Sequence, residues 1–345
     1  MSRDATTPTP AERAAHARAL ADIRLLVAMD DLFLDDDARL DERTRVAVAR
    51  SLHAAIESIE TELRRQAGRL LTARGAADVA QRLMTGKSAA DRLTRAGLLR
   101  DQPLIEALIA RTRHDMIAAE LPAAREDGAD EASLLVRLAG VPDRVVATGA
   151  RALLVADSGD GVALAAEVRH RLVWWTAAAI RPAAAHADAD RAIAEAAIRS
   201  LGAYDESEGR EATAMRLAAA IDARPDELAP LLLEALGDRR LSLFMAVLAH
   251  AIGLDFAQAE ALVLEPEGER LWLALRAAQL DRATIARIAL ALSDADPRRD
   301  IEAFADELDR IAVVEPAEAR LALAPETLNR DFRAAICALA RSGRR

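Results

Sequence analysis

The sequence predicts an all-α fold of antiparallel helix pairs, and three observations lead there. One apolar template recurs towards the C-terminus: Leu228, Leu231, Leu232, Ala235, then Phe244, Val247, Leu248, Ala251, then Ile285, Ile288, Ala289, Leu292. Each set is spaced i, i+3, i+4, i+7, as in a helix with one wet face. Helices of about eleven residues are marginal alone in water, so each must bury its stripe against a neighbour. Hydrophobic residues fill 52% of the 345 positions but aromatics only 3%, which leaves Leu, Ala, Val and Ile to build the core. Alanine and leucine favour helices over sheets. Finally, no β-branched alternation strong enough for a strand pair occurs.

Taken in order, Thr9, Pro10 and Glu12 spell a helix start, with Leu20, Ile23 and Val27 as its stripe. An acidic connector follows from Asp30 to Asp37, and Asp41 then opens the longest helix. Its apolar positions are Val46, Ala49, Leu52, Ile56, Ile59, Leu63, Ala67 and Leu70, with Arg50, Glu57, Glu60, Arg64 and Arg65 expected on the wet side. Leu52, Ile56, Ile59 and Leu63 could serve self-association as a homodimer, or pack inside the chain. Helical signals continue to Leu121, broken at Gly97 and Pro103. The polar stretch Arg125 to Glu131 is the best joint, dividing a helical bundle (1–124) from a helical array (131–345). After it, LLVRLAGVPDRVVATGARALLVA has the helix, turn, helix layout of a HEAT-type unit, so the array reads as irregular and HEAT-like. Tyr204 to Gly209 makes a second acidic turn. Further on, Gly237 and Gly253 stand where glycines end helices, Asp255 with Gln258 and then Asp281 can cap, and Pro325 opens a last helix through Leu328, Phe332, Ile336 and Leu339.

The charge of -10 argues against nucleic acid, whose phosphates require a basic face. The first twenty residues hold no apolar run of the secretory kind, and the longest apolar stretch, Leu172 to Ile180, is too short for a membrane span. A single cysteine, Cys337, makes no internal disulfide, and these features together read as cytoplasmic.

Local chemistry is sparse. Met84 to Ser88 ends like a phosphate-binding loop and holds the only lysine, Lys87, but Gln81 stands where the first glycine belongs. A helix-ending Gly86 explains it better. His186, Asp188 and Asp190 would spread around a helix, so a capped polar loop is expected rather than a metal site. Asp30 to Asp37 lacks the glycine and final glutamate of a calcium loop. The six histidines make no zinc pair, and Cys337 sits among apolar neighbours. One cluster stands out: Arg169, His170, Arg171, Trp174 and Trp175 hold two of three tryptophans beside three basic side chains. Helical spacing puts His170 with Trp174 and Arg171 with Trp175, a pocket for an anionic partner or else core tryptophans overlaid by arginines.

The run from Leu231 to Leu280 resembles the C-terminal signature of domain of unknown function 2336 of alphaproteobacteria. It carries Gly237-Asp238, Phe244, Gly253-Leu254, Gly268 and the Leu275 to Ala278 "LRAA" helix. Leu134 to Val155 and HRLVWWTAAAIR from His170 look like the same family. The resemblance implies a helical, HEAT-like bacterial protein and brings no catalytic residue, cofactor or metal. The functional expectation is therefore a non-catalytic scaffold or adaptor that binds another protein in a regulatory role. The alternative is a sensor or enzyme taking a small anionic ligand or nucleotide near Arg169 to Trp175.

Overall fold

A computed structural model describes residues 39–122, 133–158, 164–184 and 186–329, together with Phe332, Arg333, Ala335, Ile336 and Leu339. The helix start at Thr9, the acidic run Asp30 to Asp37, the joint Arg125 to Glu131 and Cys337 lie outside the described residues. Backbone proximity separates two units, Met1–Ala47 and Val48–Arg345. In the first, Asp41 caps the long helix as expected, accepting the Thr44 N–H at 2.8 Å.

The described residues form sixteen α-helices and no strand. The first are α1 (Glu42–Ala73), α2 (Ala77–Met84), α3 (Ala89–Arg95), α4 (Gln102–Glu120), α5 (Leu134–Leu138) and α6 (Arg144–Asp157). The rest are α7 (Ala166–Ile180), α8 (Ala187–Gly202), α9 (Arg210–Ile221), α10 (Pro225–Gly237), α11 (Leu241–Ile252), α12 (Phe256–Val263), α13 (Glu269–Ala277), α14 (Arg282–Ala295), α15 (Ile301–Val313) and α16 (Pro316–Ala322). None is long and apolar enough to cross a membrane.

Two hydrophobic cores alternate along the Val48–Arg345 unit. The first joins α1, α2, α3 and the start of α4 to α7 and α8. The second joins the end of α4, α5 and α6 to α9 through α16. Helix α4 belongs to both, with Leu104 and Leu108 in one and Ile117 in the other. In the first core Ile56, Ile59 and Leu63 are fully buried and Leu52 is half-buried, so the stripe considered for self-association is covered by the chain itself. Each such side chain contributes about 1.5–3 kcal/mol by leaving water.

Glu60 and Arg64 depart from expectation: both are buried rather than on the wet side. The loop after α2 folds over them. Arg64 Nη1 donates to the carbonyls of Leu83 (2.6 Å), Met84 (3.2 Å) and Gly86 (3.0 Å), and its Nη2 to that of Lys87 (2.8 Å). Glu60 pairs with Arg64 at 2.6 Å and accepts the Ala89 N–H. A phosphate loop turns N–H groups towards an anion, whereas this one turns carbonyls towards a cation. Helix α2 ends at Met84, and Gly86 is glycine because a Cβ there would stand 2.5 Å from that of Ala183.

Three further readings are corrected. Helix α11 has no wet face over Leu241 to Ala249, all buried, because α4, α9, α10, α12 and α13 surround it. Gly237 is the last residue of α10, and the left-handed backbone lies two positions on, at Arg239 (φ 57°). Gly253 does end α11 in that conformation, and Asp255 with Gln258 forms the expected capping box. His186 caps α8, and Asp190 pairs with Arg181 at 2.7 Å. Pro325 opens a short 3-10 turn, Ala324–Thr327, rather than an α-helix.

Candidate functional site

The sequence-predicted cluster lies on α7, and its two arginines point to different neighbours. Arg169 stacks over Tyr204 at 4.4 Å and reaches Glu62 at 3.7 Å. Arg171 pairs at 3.0 Å with Asp101, the residue that caps α4 by accepting the Leu104 N–H. Trp174 donates from Nε1 to His170 Nε2 at 3.3 Å, so the expected i, i+4 pair does meet. Trp174 and Trp175 pack, half-buried, on the first core. Towards solvent, His170 and Arg171 line a shallow hollow with Ala166 and Glu167, and Trp174 lines another with Arg181 and Ile193. The guanidiniums of Arg169 and Arg171 are engaged by carboxylates of α1 and the α4 cap, and Glu167 opposes an anion.

A second constellation joins α4, α11 and α12. His114 Nε2 lies 3.1 Å from Ser242 Oγ, and its Nδ1 lies 3.3 Å from Glu260 Oε1. Burial holds the imidazole below its ordinary pKa against the opposing hydrogen bond from Glu260. The order of groups is that of a nucleophile, base and orienting carboxylate. The setting is a core: His114 and Ser242 are buried, and the Phe256 ring stacks on the imidazole with centroids 6.5 Å apart. Beside it, Asp115 accepts from Arg111 (2.8 Å) and Arg210 (2.9 Å). Burial opposes its charge, but those two guanidiniums outweigh burial and hold its carboxyl below the usual range. Asp157, paired with Arg240 at 3.3 Å, is pushed up by burial. A reacting carbonyl has no approach to this node. Its members sit 128 and 146 positions apart, beyond any local motif.

The third feature is a groove between α13 and α15. Trp272 and Phe304 form its floor, with centroids 4.5 Å apart and planes at 53°, extended by Leu273 and Ile311. The cavity measures about 430 Å³. Gly268 lies beneath the indole with φ 72°, and a Cβ there would come within 2.7 Å of the ring. From behind, buried Arg299 donates to the Val263 carbonyl and stands 5.9 Å from the Trp272 ring centroid. Burial lowers its pKa from the ordinary arginine value, with nearby Asp296 opposing. Exposed Glu267, Glu269, Asp300 and Glu307 surround the floor. Arg298 also lines it but is held to Asp296 by bonds of 2.9 and 2.7 Å. Asp300 caps α15 and Glu307 pairs with Arg310, while Glu267 and Glu269 make no ion pair among the described residues. An apolar floor inside an acidic rim suits an apolar side chain flanked by cations. The sequence signal for it was the third tryptophan, preceded by the acidic run Glu265, Glu267 and Glu269.

The described residues define an all-α protein that carries an acid-rimmed aromatic groove between α13 and α15. Residues 159–324 match the family model described as an uncharacterised protein conserved in bacteria (DUF2336). The match begins just before α7 and takes in both the Arg169 to Trp175 cluster and the groove. No curated protein and no solved structure matches the chain.

Proposed function

We propose that this protein is a non-catalytic helical adaptor that binds another protein through the groove between α13 and α15. The observation that carries the reading is the acid-rimmed aromatic floor of Trp272 and Phe304. An aromatic anchor site within a polar rim is the usual make-up of a protein-recognition hot spot. The HEAT-like stacking, a regulatory role and a cytoplasmic location belong to the same proposal. The alternative, an anionic ligand at Arg169 to Trp175, loses support because Arg169 and Arg171 already have carboxylate partners.

The test compares affinity capture by the wild-type chain, by Glu267→Arg with Glu269→Arg, and by Arg171→Ala. Adaptor function requires a protein retained by wild type and by Arg171→Ala but lost on rim reversal. Capture indifferent to rim reversal contradicts it.

A further inference from the structure

The chain carries a segment complementary to its own groove. Phe332, Ala335, Ile336 and Leu339 repeat the i, i+3, i+4, i+7 template, and Arg330, Arg333, Arg341, Arg344 and Arg345 flank it with Asp331 the one acid. The segment is thus basic and amphipathic, the converse of the acidic rim. Phe332 and Ile336 have helical backbone and are 59% and 42% exposed, so they are not seated in the groove of their own chain. Arg333 is instead held to Glu326.

We infer that the groove of Trp272 and Phe304 receives the Phe332 to Leu339 stripe of a second copy of this chain. Anchors at i, i+4 and i+7 are how an amphipathic helix enters an apolar groove, and from Phe332 to Leu339 they span about 10 Å of helix. The arginines beyond Leu339 then stand near the carboxylates of Glu267 and Glu269, which have no ion-pair partner of their own among the described residues. Reciprocal insertion, each copy filling the other's groove, closes a two-fold pair, whereas one-way insertion propagates. This inference rests on the adaptor reading of the groove and names its partner. The earlier candidate face at Ile56, Ile59 and Leu63 plays no part, being buried within the chain.

Sedimentation velocity of the full chain over a concentration series tests it. The expected result is a dimer that weakens with salt. Phe332→Asp with Ile336→Asp, Glu267→Arg with Glu269→Arg, and Arg341→Glu with Arg344→Glu should each raise the dissociation constant by about tenfold or more. Mixing the rim-reversed chain with the Arg341→Glu, Arg344→Glu chain should restore association between unlike chains. A chain that stays monomeric at every concentration overturns the inference, as does a dimer indifferent to the tail and rim variants. If the chain is monomeric while rim reversal still abolishes capture of a different protein, this inference falls and the adaptor reading stands. If capture too is indifferent to rim reversal, both fall.

Discussion

Gly268 supports Trp272 from below so closely that a methyl group at 268 would stand 2.7 Å from the indole. The left-handed backbone at Gly268 (φ 72°) puts the start of α13 there, and the indole then leans on Phe304 of α15. A turn residue therefore sets the floor of the proposed docking site.

Gly268→Ala should consequently do two things. It should destabilise the fold by roughly 1–3 kcal/mol, because both the backbone angle and the indole contact are violated. It should also move the indole, read as a shift in tryptophan emission before any unfolding. Wild-type stability and emission in this variant would show that the indole does not depend on Gly268.

Arg64 is the second point of dependence. Its guanidinium binds four carbonyls, two at the end of α2 and two in the loop after it, and Glu60, inside the first core. Arg64→Ala leaves those carbonyls without this donor and the buried Glu60 carboxylate without its counter-charge, and should cost about 3–5 kcal/mol. Arg64→Lys should recover little, because an ammonium cannot match the planar fork. Urea unfolding with an unchanged denaturant slope checks both variants, and a mild Arg64→Ala would refute the clasp.

His114 gives a pH dependence whose sign follows from burial. Burial holds its pKa in the folded chain below the ordinary 6.5. As pH falls through that value the unfolded chain takes up the proton first, so stability declines. The decline continues until the lower folded-state value is passed and then flattens, while above 6.5 the contribution is complete. His114→Gln, which keeps hydrogen-bonding capacity, should lose this limb. Unfolding free energies measured between about pH 7 and pH 5 should diverge between the two chains, and parallel curves would contradict the assignment.

Ser242 tests whether the node beside His114 is architecture. Ser242→Ala removes one buried hydrogen bond and should cost about 1 kcal/mol, with partner capture unchanged. Loss of capture at wild-type stability would give the Ser242 hydroxyl a direct role.

Much of the fold was legible because its signals are local. The 3.6-residue period, the caps at Asp41, Asp255 and Asp281, and the left-handed Gly253 all act within a few residues of themselves. What covers a helix is decided elsewhere in the chain. Glu60 and Arg64 looked wet until the loop after α2 closed over them, and α11 looked amphipathic although five helices enclose it. The Arg169 to Trp175 cluster was visible as composition, yet its charges are taken up by Glu62 and Asp101, more than sixty positions away. For the groove, Trp272 and its acidic neighbours were in view, but Phe304 comes from another helix and Arg299 from the loop before it.

The most direct test of the groove as a docking site uses the tryptophan in its floor. In a chain carrying Trp174→Phe and Trp175→Phe, Trp272 is the sole fluorophore of its kind. Titration with a peptide of residues 328–345 should give a saturable change in its emission that weakens with salt and disappears in Glu267→Arg with Glu269→Arg. An emission that stays flat throughout the titration, or a change that survives rim reversal unaltered, would contradict the account.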